Sequence, residues 1–77
     1  MPQVTLCLDT VVETAVLEEA VRTLNFMMPR MAVRYVVDAD AGAVRFVCES
    51  ADTLTLCSAV QMLKTLLGHH GKVKQAG

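Results

Sequence analysis

Aromatic side chains are scarce in this chain: two phenylalanines, one tyrosine and no tryptophan among 77 residues. The stacking platform of an RNA-recognition sheet is therefore missing, the more so because Tyr35 falls on the predicted core side of its strand. Glycine is also sparse, at four residues, and Gly42 joins two predicted strands rather than opening a helix, so no phosphate-cradling loop is present. No apolar run approaches the roughly 18 residues of a membrane span, and charges interrupt every candidate. The start, Met1-Pro2-Gln3-Val4, lacks the basic and apolar regions of a signal peptide. The expected location is cytoplasmic, nuclear or both. Cys7, Cys48 and Cys57 form no Cys-x-x-Cys pair and sit within apolar patterns, as small hydrophobic side chains would in a reducing compartment.

Organised chemistry is equally thin. His69 and His70 are neighbours near the end of the chain. A zinc site needs three or four convergent ligands on an ordered frame, which adjacent residues in a loose segment seldom supply. Cys57 has no histidine close in sequence and reads as a packing residue rather than a nucleophile. Asp38 and Asp40 share a turn but lack the oxygen-rich loop that calcium needs. Nothing places a nucleophile, a base and an oxyanion site together, so the expectation is a protein that is no enzyme, with no cofactor and no metal.

What the chain has in quantity is apolar surface: 53% hydrophobic residues and a mean hydropathy of +0.42. A domain of this size hides only about 60% of its unfolded surface. Part of the remainder is expected in an interface. The formal net charge is −1, with Glu13, Glu18 and Glu19 early and Lys64, Lys72 and Lys74 late, so any attraction to RNA would be local.

Taken in order, Val4, Leu6 and Leu8 alternate with polar or small neighbours and predict a first strand. Thr10-Val11-Val12-Glu13 has the form of a capping box, predicting a helix over 11–27. Its inner stripe is Val12, Val16, Ala20, Leu24 and Met27, joined by Ala15, Leu17 and Val21, with Glu18 and Arg22 spaced for an ion pair. Pro29 stops it. Residues 31–37 predict a second strand with Val33, Tyr35 and Val37 on one face, and 43–49 a third, joined by a turn at Gly42. A second helix over 52–68 carries the stripe Leu56, Val60, Leu63 and Leu67, widened by Leu54, Cys57, Met62 and Leu66, with Lys64 its only charge after Asp52.

The predicted order is βαββα in an α+β fold. It is ferredoxin-like but lacks the last strand: a three-stranded sheet, order 1-3-2, with both helices on one face. Residues 1–70 form the expected single domain and 71–77 a flexible polar tail. The first strand would then be a bare edge. The open face would carry Thr5, Cys7, Arg34, Val36, Arg45 and Val47.

Several segments resemble the small Pcc/CTAG-type (LAGE-like) subunit of KEOPS, the complex that makes threonylcarbamoyladenosine in tRNA. They are Val4-Thr5-Leu6-Cys7-Leu8, Glu19-Ala20-Val21 followed by Pro29, and Val44 to Val47 leading through Asp52 to Leu56, Ala59 and Val60. The chain departs from that family at Cys57, where the family has arginine, and near Leu8 to Thr10, where it has Pro-Phe. The resemblance implies a non-catalytic dimerisation and scaffolding subunit. It would pair with itself or a paralogue and dock by its helices on the Kae-type threonylcarbamoyl transferase, supporting tRNA engagement. The expected partner interface is Leu54, Cys57, Val60, Met62, Leu66 and Val21. Arg34, Arg45, Lys72 and Lys74 are the candidate RNA contacts. The rival is an ACT-like small-molecule-binding regulatory domain, which ends in a fourth strand that only residues 71–75 could supply. A subunit of another obligate hetero-oligomer is the third possibility.

Overall fold

A computed structural model of the chain describes residues 2–76. The elements run β1 (Gln3–Leu8), α1 (Thr14–Met27), β2 (Ala32–Asp38), β3 (Ala43–Glu49), α2 (Thr53–Leu67) and β4 (Val73–Ala76). They build an α+β fold with one four-stranded, wholly antiparallel sheet in the order β2-β3-β1-β4. The expected three-stranded sheet is therefore corrected. Its neighbours β2, β3 and β1 are in the expected relation, but β4 adds to the free side of β1. Neither a bare β1 edge nor a polar tail describes residues 73–76; Gly77, the end of that expected tail, lies outside the described residues.

Alternation explains the sheet. Val4, Leu6 and Leu8 of β1 and Val44, Phe46 and Cys48 of β3 are all buried on the side the helices cover. From the helices come Leu17, Ala20 and Leu24 of α1 and Leu56, Ala59, Val60, Leu63 and Leu67 of α2, completing one core. The ring of Tyr35 packs on Phe46 at 5.9 Å between centroids. Gly42 takes φ 65° in the β2–β3 turn, a left-handed conformation that glycine adopts without steric cost. Asp38 Oδ1 accepts the Ala41 amide at 3.1 Å in the same turn.

The two helices start differently. At α2, Asp52, the first residue of the expected helix, is the N-cap: its Oδ1 accepts the Leu54 amide at 3.0 Å and its Oδ2 the Thr55 hydroxyl at 3.1 Å. At α1 the predicted capping box does not form. The helix begins at Thr14, after an N-cap Glu13 whose side chain caps nothing, while Thr10 donates its hydroxyl to Asp9 Oδ1 at 3.2 Å. The reason is a competing use of the same residues. Asp9 donates its amide to the Lys72 carbonyl at 3.1 Å, and its Oδ1 accepts the Lys72 amide at 2.9 Å. This clasp seats the entrance to β4, so Asp9-Thr10 serves the sheet rather than the helix. The Glu18–Arg22 pair is also replaced: Arg22 lies 3.9 Å from Glu19, and Glu18 accepts the Tyr35 hydroxyl at 2.8 Å.

Gly71 is part of the clasp. A Cβ there would lie 2.5 Å from Asp9 Oδ1 and 2.6 Å from Thr10 Oγ1, forcing the carboxylate off the Lys72 amide. Asp9→Ala and Gly71→Ala should each lower stability by about 1 kcal/mol, the usual net worth of such a hydrogen bond. Urea unfolding monitored by circular dichroism checks this; unchanged midpoints for both variants would show that the clasp contributes nothing.

Candidate interaction surfaces

The helix layer distributes the expected partner-interface residues unevenly. Leu54 and Cys57 are exposed, while Met62, Leu66 and Val21 are half-buried against the core. Val60 is 7% exposed and belongs to the core, so it is removed from the candidate interface. It follows Ala59 on the flank of α2 that turns inward over β1, and its spacing from Leu56 and Leu63 already placed it in the core stripe. The exposed positions of α2 are Thr53, Leu54, Cys57, Ser58, Gln61, Lys64 and Thr65. Low charge on this helix thus reflects neutral polar residues more than excess apolar ones.

The largest exposed apolar side chains gather instead where α1 ends and α2 begins. Phe26 is 84% exposed, Leu54 76% and Met27 56%. Met27 was expected on the inner stripe, but α1 finishes its buried run at Leu24 and the chain then turns away through Met28, which donates its amide to the Leu24 carbonyl. Phe26 carried a readable signal: two residues past Leu24 is about 200° round the helix, opposite the core. A shallow groove beneath this end is lined by Met27, Met28, Pro29, Arg30 and Thr55.

A second groove, of about 400 Å³, lies between α2 and the start of β1. Among the described residues, β4 pairs with β1 from Thr5 to Leu8. Leu56 and Val60 line the groove together with the polar side chains of Gln3, Gln61, Lys64 and Gln75, and Cys57 stands at its wall.

The face of the sheet opposite the helices is open, and register places its residues in rows. One row across the strands reads Val36, Arg45, Cys7, Lys74; the next reads Arg34, Val47, Thr5, Ala76. Three of the four candidate RNA contacts, Arg34, Arg45 and Lys74, therefore share one face. Lys72 lies just ahead of β4 and holds Asp9 through its backbone. Arg34 is engaged by Glu49 at 2.6 Å, which offsets part of the positive charge. Tyr35 and Phe46 lie on the covered side, so the open face presents cations and small apolar groups without an aromatic ring.

The titratable groups divide by burial. Cys48 is buried, and desolvation pushes its thiol up to about 11. Tyr35 is raised above its ordinary value, first by its hydrogen bond to Glu18, then by burial and by the Glu18 charge. Cys7 is half-buried on the open face and Cys57 is exposed, so the expectation of three packed cysteines is met fully only at Cys48. His69 is exposed, and His70 borders a hollow between α1 and α2 beside Val16 and Leu66. No group of three His, Cys, Asp or Glu side chains is arranged to hold a metal ion among the described residues. No helix of the described residues is long and apolar enough to cross a membrane.

Comparison with protein-family models and with curated protein sequences finds no match.

The thiol assignments have direct consequences. Cys57 should react first with a thiol reagent under native conditions, and Cys48 only after unfolding, as mass spectrometry of labelled peptides would show. Cys48 binds its proton more tightly in the folded chain, so its contribution to stability is fully present below pH 9.0 and is lost as the pH rises towards about 11. Cys48→Ala should flatten that part of the stability profile; an unchanged slope would show that this thiol does not titrate on unfolding.

Proposed function

We propose that the chain is a non-catalytic interaction module that works as a pair and presents the apolar end of its helix layer to a larger protein. The observation that carries this reading is the exposure of Phe26, Met27 and Leu54, the largest apolar side chains left in solvent, at the end of α1 and the start of α2. In its specific form it is the scaffolding role implied by the KEOPS resemblance. Two copies, or one copy and a paralogue, would dock on a Kae-type threonylcarbamoyl transferase, with tRNA near the basic residues Arg34, Arg45, Lys72 and Lys74. No cofactor enters this role. Cys57, exposed on α2 where the family has arginine, leaves that position to protein contact rather than to phosphate.

One observation favours the second reading. The resemblance implies a sheet without a fourth strand, whereas β4 is the element that an ACT-like regulatory domain requires. That reading places a small ligand in the groove between α2 and the start of β1. Against it, the turn after β1 is Asp9-Thr10, without the glycine such domains carry there, and is occupied by the clasp to Lys72.

Binding measurements separate the two. A Kae-type subunit mixed with the chain at micromolar concentration should form a complex on size exclusion, weakened about tenfold or more by Phe26→Lys with Leu54→Lys, since buried anchors dominate such interfaces. No complex with the folded wild-type chain would overturn the KEOPS form. A rise in melting temperature on adding free amino acids, absent with the transferase subunit, would establish the ACT-like form instead.

A further inference from the structure

The two edges of the sheet are not alike. β4 is four residues long and carries Lys74 in its middle, which suits an edge kept single. β2 is seven residues long, Ala-Val-Arg-Tyr-Val-Val-Asp, with no proline. It pairs with β3 in unbroken register from Ala32↔Glu49 to Asp38↔Ala43, so no bulge twists it away. Beyond it lies no further strand among the described residues. Val36 on the open face is 51% exposed and Val37 on the helix side 43%. Such an edge presents unpaired backbone groups flanked by apolar side chains.

The residues of β2 are complementary to themselves in one register. When two copies meet antiparallel about a two-fold axis, the sheet faces stay continuous only if the axis passes through a residue pair, because neighbouring residues point to opposite faces. An axis at Val36 sets Arg34 opposite Asp38 of the second copy, and Asp38 opposite its Arg34. Both are on the open face, one on each side of a Val36–Val36 contact. Tyr35 then meets Val37 on the helix side. An axis at Tyr35 would set Asp38 against Ala32 and Arg34 against Val36, leaving the charges unmatched. An axis at Arg34 would set two arginines face to face. Cross-strand pairs of opposite charge favour the first register, and like charges disfavour the last. Arg34 would lie between Glu49 of its own chain, 2.6 Å away, and Asp38 of the other.

Building on the paired module above, we propose that two copies join through their β2 edges in the register centred on Val36. The result is one continuous eight-stranded antiparallel sheet with all four helices on one side. The pairing leaves the Phe26–Leu54 end of each copy to other partners and joins the two open faces, with their arginines and lysines, into a single surface.

Cross-linking reads the register directly. Directly opposed Cα atoms in an antiparallel pair are about 4.5–5.5 Å apart, inside the range a disulfide spans. With Cys57→Ser as background, Val36→Cys should form an inter-chain disulfide under mild oxidation. Arg34→Cys should form one at least about tenfold more slowly, because four residues of offset hold its two copies about 14 Å apart. Equal rates, or faster cross-linking by Arg34→Cys, would overturn the register. Asp38→Arg should weaken the dimer about tenfold or more in analytical ultracentrifugation, and Arg34→Asp added to it should restore the affinity. Failure of the double variant to recover, with both variants folded, would contradict the paired charges. A wild-type chain that stays monomeric removes the paired module itself, whereas a dimer indifferent to all these variants removes only this surface.

Discussion

One-sided burial of β1 and β3 is the constraint on which the rest of the molecule depends. Leu6, Leu8, Val44 and Cys48 reach zero exposure because both helices lie over the same face of the sheet. Among the described residues no third layer covers the other face. The open face must therefore be tolerable in water, and its alternating positions hold Thr5, Arg34, Arg45 and Lys74 among smaller apolar groups. The same economy leaves two sheet edges and a helix-layer end to be managed by other means. The proposed function is built from those leftovers.

The leftovers are unequal, and that inequality carries the functional account. One edge is closed by a short lysine-bearing strand held at its entrance by Asp9, whose backbone and carboxylate both bind Lys72. The other is a long, regular strand with exposed valines and charges of both signs. The apolar end at Phe26 and Leu54 lies in the helix layer rather than in the sheet, so edge pairing and helix docking do not compete for the same side chains. The proposed module pairs by one surface and docks by another.

Much of this was legible in the sequence, and the misses at the start of α1 and at β4 share a cause. Period-two alternation placed β1 and β3, and Asp52 and Gly68 bracketed α2 where the structure has its N-cap and C-cap. Gly42 took the turn conformation expected of it. The errors arose where a local pattern competed with a distant partner. Thr10 and Glu13 have capping-box spacing, but Asp9-Thr10 is committed to Lys72, 63 residues away from Asp9. β4, Val-Lys-Gln-Ala, has too little apolar alternation to announce a strand; it is ordered by pairing with β1, which no local window contains. Val60 was expected both in the α2 core stripe and in the partner interface, and its burial answers to the stripe. Phe26 was the opposite case, an aromatic residue on the outer side of α1 that a helical projection would have exposed.

The central claim is that β4 closes one edge and leaves β2 as the edge that pairs. Amide hydrogen exchange followed by NMR over a hundredfold range of protein concentration tests it most directly. Protection along β2 from Arg34 to Asp38 should rise with concentration while that of β4 stays constant. Concentration-dependent protection at β4, or none along β2, would contradict it.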